Sequence, residues 1–459
     1  MGDATSPDEG GSDGKSDGAD VPLLDADARY RAIGRLRTGG TSCTAFLIDN
    51  GGGADAPAYV IANGHCTNKW AEAGSSLLVA RNVPVMEGDE VDLGYFHDAT
   101  PVRVGVRAIP YATMKTIDLA VIELAETRAA LEDKGIQPLA WADAAPKVGA
   151  KIAVVGAPLY QPDFLRKVTC TEQGTRSVFE RNWRWPELHR NRCIGIISGS
   201  SGSPMLDEHD RVFAVLNTTT RGANPDAACW VGAPCEVGAT GFDFSPDTNY
   251  GASITWLRAC FDAEGRFAPA AAGCKLDDGR QLQVTELPYF RDRPTGTWGV
   301  ALASAHGMTE YRYKVDSCED ATGYSAPRAI DQQLATLAVP TAEGPHTLCI
   351  VGGAGTSWQT SAHATPVQLY IDLTPPARKA RVNFERWDGR VSAEPIFSPP
   401  ELSHFTYVSV APTASCEDSA LVWQPYRRFP VEVISPGRFC LRAEDVAGNV
   451  GPIHVYEVE

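Results

Sequence analysis

Three short stretches of this 459-residue chain set reactive side chains at the ends of apolar runs. AYVIANGHC (58–66) ends in His65 and Cys66, TIDLAVIEL (116–124) carries Asp118 near its start, and GIISGSSGSPML (195–206) holds Ser198, Ser200, Ser201 and Ser203 among glycines. A serine hydroxyl is a weak nucleophile at its own pKa and needs a base beside it to take its proton. Imidazole titrates near neutrality, which suits His65 to that task. A carboxylate such as Asp118 would fix the imidazole tautomer and stabilise the imidazolium formed during attack.

Among the four serines, Ser201 alone has glycine two positions before it, glycine directly after it and proline three positions later. The attack leaves a developing oxyanion that needs donors already aimed at it, and backbone N–H groups of Gly199 and Ser201 would supply them. Glycine at 199 lets that peptide adopt an orientation that a side chain would hinder. A Gly/Ser run taken alone reads as a surface turn. The reading rests on all three stretches, with His65, Asp118 and Ser201 in that order at separations of 53 and 83 residues.

Other chemistry finds less support. His97, His189 and His209 stand in loop-like context without metal-ligand spacing and read as surface or packing residues. No H-E-x-x-H, P-loop or G-x-G-x-x-G stretch appears in a strand-to-helix context, so neither metal nor cofactor is expected. DVAGN (445–449) offers oxygens that calcium could use, and a turn between strands explains it at least as well.

The elements that must position these residues have β texture. TAFLID (44–49), AYVIAN (58–63), SLLVAR (76–81), VRVGVRAI (102–109), DLAVIEL (118–124), KIAVVGA (151–157) and RVFAVLN (211–217) are strand-length, β-branched runs between turn signals. One helix is expected, over ASITWLRACF (252–261). The fold class is therefore all-β, and the length predicts several domains. Residues 1–27, with eight acids and one Lys, form an expected disordered acidic linker ahead of the body at 28–279. Beyond 280 there is an internal repeat. The Cys-Glu-Asp triplets at Cys318 and Cys416 lie 98 residues apart, and the later cysteines, Cys349 and Cys440, lie 91 apart. Two β-sandwich units are expected, over 280–374 and 375–459.

A formal charge of −16 argues against nucleic acid and anionic membrane as partners. No apolar run reaches the roughly 18 residues of a membrane helix, and Met1 is not followed by a basic and then an apolar segment, so membrane insertion is not expected and an exported protein would have lost its leader. The twelve cysteines are even in number, widely spaced and without a C-x-x-C, which fits disulfides better than zinc. An extracellular, cell-surface or periplasmic location follows.

The His, Asp, Ser order, the Cys after the His, the apolar strand after the Asp and the turn Gly199-Ser200-Ser201-Gly202-Ser203-Pro204 together resemble the chymotrypsin-like serine peptidases. The nearest likeness is to bacterial trypsin-like and glutamyl-endopeptidase-like enzymes. The resemblance implies two β-barrels with a cleft between them, catalysis by His65, Asp118 and Ser201 through an acyl-enzyme, and an oxyanion hole at Gly199 and Ser201. Its disulfide pattern, with proximity in the chain, implies Cys43–Cys66, Cys170–Cys193, Cys229–Cys235, Cys260–Cys274, Cys318–Cys349 and Cys416–Cys440. The C-terminal units resemble bacterial immunoglobulin-like or fibronectin type III-like modules, which would bind a surface or a protein partner. Many family members carry an acid where this chain has Ser200, so activation by pairing that acid with a freed N-terminus is not expected. The resemblance maps the specificity pocket to Gly195, Ile196, Ile197, Leu216, Asn217, Thr218 and Thr219. With no acid at Gly195 and no His at Leu216, a small or apolar P1 side chain is expected, although Arg221 turned inward would favour an acid. The expected function is an exported serine endopeptidase acting on protein or peptide. The rivals are a catalytically silent protease-like binding protein and a peptidase dedicated to one partner.

Overall fold

Two antiparallel sheets, with strands between Asp20 and Ser253, flank the turns that hold His65, Asp118 and Ser201. The computed structural model describes residues 20–67, 78–160, 162–238, 241–288, 291–292, 296–315, 317–318, 320–332 and 334–459. Tail residues 1–19 and the first two residues of SLLVAR lie outside the described residues. The first eight strands are β1 (Asp20–Pro22), β2 (Ile33–Thr38), β3 (Thr41–Leu47), β4 (Pro57–Ala62), β5 (Val79–Val83), β6 (Glu90–Leu93), β7 (Val102–Thr113) and β8 (Leu119–Thr127). Then come β9 (Lys151–Gly156), β10 (Arg166–Thr171), β11 (Thr175–Glu180), β12 (Trp183–Asn191), β13 (Pro204–Leu206), β14 (Val212–Thr219), β15 (Cys235–Gly238), β16 (Gly241–Asp243) and β17 (Asn249–Ser253).

The first sheet runs β5-β7-β6-β2-β3-β4-β8, and a further β7–β8 pairing closes six of these strands into a barrel. Its apolar alternation explains the closure. Val104, Ile109, Tyr111, Val121, Ile122 and Phe46 are buried, while Arg103 and Gly105 of the same β7 run face outward. The second sheet runs β1-β10-β9-β13-β14-β17-β12-β11-β15-β16, over a core that includes Val154, Met205, Phe213 and Leu216. Among the described residues no helix is long and apolar enough to cross a membrane.

Two expectations need correction. The helix expected over 252–261 is absent. Ala252 pairs with Val215 in the β14–β17 ladder, the Ile254 N–H bonds Phe213 O, and only one 3-10 turn, Leu257–Cys260, follows. Non-local pairing with a buried central strand outweighs local helix propensity here. The linker expected to reach residue 27 also ends earlier. Asp20–Pro22 forms edge strand β1 against β10, Asp20 pairs with Arg166 at 2.6 Å, and Leu23 is buried. Three residues with an apolar anchor and an ion pair suffice to extend an exposed sheet edge.

Six disulfides close, Cys43–Cys66, Cys170–Cys193, Cys229–Cys235, Cys260–Cys274, Cys318–Cys349 and Cys416–Cys440. Such a set fits an oxidising compartment.

Beyond residue 280 the described residues include two larger cores. One gathers Trp298, Tyr311, Leu348, Ile350 and Leu369 beneath a sheet whose main strands are Glu310–Val315, Gly344–Ala354 and Thr365–Ile371. The other gathers Phe405, Phe439 and Leu441 between a three-stranded and a four-stranded sheet. DVAGN closes as a turn, with the Asp445 carboxylate accepting from the Asn449 N–H at 2.8 Å and its Nδ2 at 2.9 Å. Arg291 ties the parts together. Its guanidinium bonds Ala228 O, the Asp372 carboxylate and the Glu401 carboxylate at 2.8–2.9 Å.

Candidate active site

His65 sits in a 3-10 turn, Gly64–Thr67, directly after β4. A Cβ on Gly64 would lie 2.2 Å from Thr113 O, so only glycine lets this turn press against β7. The Cys43–Cys66 disulfide then holds the turn to β3. Asp118 is fully buried just ahead of β8, and Asn63 Nδ2 donates to its backbone oxygen at 2.9 Å. Its two carboxylate oxygens serve the same residue. Oδ1 accepts the His65 backbone N–H at 3.1 Å, and Oδ2 meets His65 Nδ1 at 2.6 Å. A proton must lie on Nδ1 for that contact, which leaves Nε2 as the accepting nitrogen of the neutral ring. Burial alone would push the His65 pKa down, but the Asp118 charge and hydrogen bond outweigh it and hold the imidazole above its ordinary value.

The serine turn is fixed from both sheets. The Thr44 N–H donates to Ser201 O at 2.8 Å, Thr44 Oγ1 donates to Gly199 O at 2.8 Å, and the Gly202 N–H donates to Leu216 O at 3.0 Å. Gly199 and Gly202 have φ of +89° and +83°. A Cβ on Gly202 would lie 2.2 Å from Thr44 O, so this crossing also requires glycine. Two of the four hydroxyls are engaged within the turn. Ser200 Oγ accepts the Ile197 N–H at 3.3 Å, and Ser203 Oγ donates to Ser200 O at 2.6 Å. Ser203 is fully buried. Ser201 lines a cavity of about 580 Å³ together with His65 and Asp118, and Ser198 and Ser200 line it too.

Of the residues mapped to the specificity pocket, Ile196, Ile197, Leu216, Asn217, Thr218 and Thr219 line this cavity. Gly195 is not among its lining residues. With φ +74° it lies against the Asp20 carboxylate and Val168, on the side where β1 docks. Arg221 does line the cavity, with Nη2 donating to Cys193 O at 3.4 Å and Nη1 3.7 Å from Asp247.

Sequence reasoning missed the opposite wall. The β11–β12 hairpin brings Glu180, Trp183 and Trp185 to the cavity, with the two indoles stacked 6.0 Å apart. The W-x-W spacing, which puts both rings on one face of a strand, was the available signal. Glu180 is 6% exposed and accepts the Gly232 N–H at 2.7 Å; burial raises its pKa despite that bond and one from Thr218. Asn217 is also buried, and its Nδ2 has no hydrogen-bond partner among the described residues.

Residues 43–215 match the family model of the trypsin-like peptidase domain. No curated protein matches the chain. Solved structures similar to it include the active form of the Rv3671c protease from M. tuberculosis, at 15% identity and a TM-score of 0.31, over 50% of this chain and 78% of that one. Protease Anisep from Arthrobacter nicotinovorans is similar at 14% identity and a TM-score of 0.31, over 51% of this chain and 93% of the other. Human heparin binding protein is similar at 14% identity and a TM-score of 0.32, over 52% and 92%. The stretch that matches this family model, 43–215, spans Cys43, His65, Asp118 and Ser201.

Proposed function

We propose that this chain is an exported serine endopeptidase with Ser201 as nucleophile, His65 as general base and Asp118 as its orienting carboxylate. The observation that carries the reading is the 2.6 Å His65–Asp118 contact at one edge of a cavity that Ser201 also lines, within the matched domain. Ser201 Oγ bonds the scissile carbonyl carbon as its proton passes to His65 Nε2. The oxyanion is met by the N–H groups of Gly199 and Ser201. Nε2 then returns the proton to the leaving amine, the C–N bond breaks, and an acyl-enzyme remains. Water attacks that ester with His65 again as base, which frees the carboxylic acid and restores Ser201. Ile196 and Leu216 in the cavity wall support a small or apolar P1 side chain.

The two C-terminal units would bind a surface or a protein partner as immunoglobulin-like or fibronectin type III-like modules. Labelling by a fluorophosphonate probe tests the catalytic reading. Wild type is expected to label and Ser201→Ala to remain unlabelled; an unlabelled wild type, or equal labelling of both, refutes the assignment. Profiling on a peptide library then reads P1, with cleavage confined to sites after acidic or basic residues counting against the apolar assignment.

A further inference from the structure

The peptide that supplies the Gly199 N–H rests on a buried cation. Arg35, in β2, has a fully buried side chain and pairs with the Asp163 carboxylate. Its other hydrogen bonds are Nη1 to Ser42 Oγ at 3.2 Å and Nη2 to Pro158 O at 3.4 Å, and the guanidinium also lies over the Tyr95 ring. A Cβ on Gly199 would lie 2.7 Å from Arg35 Nη1 and 2.7 Å from Ala157 O. The guanidinium therefore packs directly against the bare face of Gly199. The same segment is stitched to the serine turn at two more points. The Leu159 N–H donates to Ser198 O at 2.8 Å, and Thr44 Oγ1 takes the Ala157 N–H at 2.9 Å while donating to Gly199 O. Ser200, next to the nucleophile, carries no charge and spends its hydroxyl on the Ile197 N–H.

A buried cation is retained only where paired, because removing it from water is costly. Here its partner, Asp163, is a quarter exposed, so the pair runs from the surface to the underside of the turn. Glycine at φ +89° has an alternative peptide orientation open to it at little intrinsic cost. Something outside the turn must select the orientation that donates to the oxyanion. We propose that Arg35, locked by Asp163, is a positioning residue that holds the Gly199 peptide in its donating orientation. The inference rests on the peptidase reading above.

A planar guanidinium bonded at three points resists rotation as a lysine ammonium does not. Asp163→Asn and Arg35→Lys are therefore both expected to loosen the turn. Removing one oxyanion donor costs about 10²–10³ in kcat, and a donor that is mobile but present should cost about 10- to 100-fold. The loss should fall on kcat and on the fluorophosphonate labelling rate constant alike. KM should stay within about twofold, and the pH midpoint set by His65 should not move, because the base is untouched. Rates are expressed per active site, counted by burst titration.

Wild-type rate constants in both variants overturn the proposal. So does a loss that disappears once active sites are counted, since that reports unfolded protein. Asparagine keeps the shape of Asp163 and an oxygen that accepts from the Arg35 guanidinium, so Asp163→Asn is expected to fold even where substitution of Arg35 is not tolerated. Amide exchange supplies a readout that needs no turnover. Asp163→Asn should speed exchange in 157–163 and 196–202 and leave 59–66 unchanged; unchanged exchange in the first two segments overturns the proposal. A wild type inert to the probe would instead refute the peptidase reading, and exchange would still decide the clamp.

Discussion

Replacing Asp118 by asparagine changes one oxygen for an NH₂ group in a site where both carboxylate oxygens are in use. Oδ1 takes the His65 backbone N–H, and Oδ2 takes the proton on Nδ1. The backbone donor cannot turn away, so the amide oxygen must stay with it and the NH₂ must face Nδ1. That nitrogen can then only accept, which moves the imidazole proton to Nε2, where in the proposed mechanism the Ser201 proton would have to go. The side chain is fully buried, and water cannot restore the lost bond. The wrong tautomer in this arrangement costs about 10⁴ in kcat, or roughly 5 kcal/mol of barrier at 1.36 kcal/mol per decade. A second signature follows from charge. Burial pushes the His65 pKa down, and the Asp118 carboxylate more than offsets it, so the variant imidazole should titrate lower than wild type. The acid limb of kcat/KM therefore moves to lower pH. Steady-state kinetics on a chromogenic peptide from pH 4 to 9, with thermal unfolding to confirm the fold, make the test. A kcat within tenfold of wild type, or an acid limb that stays or moves to higher pH, would refute the reasoning.

Three further outcomes are expected. Cys43→Ala with Cys66→Ala opens a loop with a sequence separation of 23 residues, and chain entropy puts the loss at about 3 kcal/mol. Differential scanning calorimetry should show it, with an unchanged Tm as the contrary result. Gly202→Ala meets both a φ of +83° and a contact 2.2 Å from Thr44 O, for a cost of about 2–4 kcal/mol by urea unfolding together with loss of probe labelling; a stable, labelled variant contradicts the geometry. Glu401, pushed up to about 7 by burial although Arg291 pulls it down, binds a proton in the folded chain that the unfolded chain has released. Its contribution is fully present below the unfolded pKa near 4.5 and is lost as pH rises toward 7, by up to about 3 kcal/mol. Thermal midpoints of wild type should fall across that window more than those of Glu401→Gln, and parallel curves would count against the burial cause.

Sequence by itself determined what depends on local pattern. Period-two apolar runs place the strands that flank the site, because alternation decides which face a barrel buries. Gly64, Gly199 and Gly202 mark the turns, because close backbone approach or left-handed φ excludes a side chain there. Cysteines near one another in the chain found each other across single hairpins or short loops. The expectation of Ser201 as nucleophile likewise rests on neighbours in the chain, and Ser200 and Ser203 each bond within the turn.

Tertiary structure decided what depends on distant partners. Ala252 and Ser253 are strand because β14 was waiting for them, whatever their helical pattern. Gly195 lies against Asp20, 175 residues earlier, and away from the cavity, because strand β1 docks beside it. Glu180 and Trp183 form a cavity wall because the β11–β12 hairpin meets His65, Met114 and Asp118 of the first sheet's loops across the site. Arg35 underlies Gly199 across 164 positions of chain. Its burial is affordable only because Asp163, on a third segment, arrives to balance the charge. Local periodicity carries no record of such meetings, since each is fixed by which sheet edges and loop tips the closed barrel brings together.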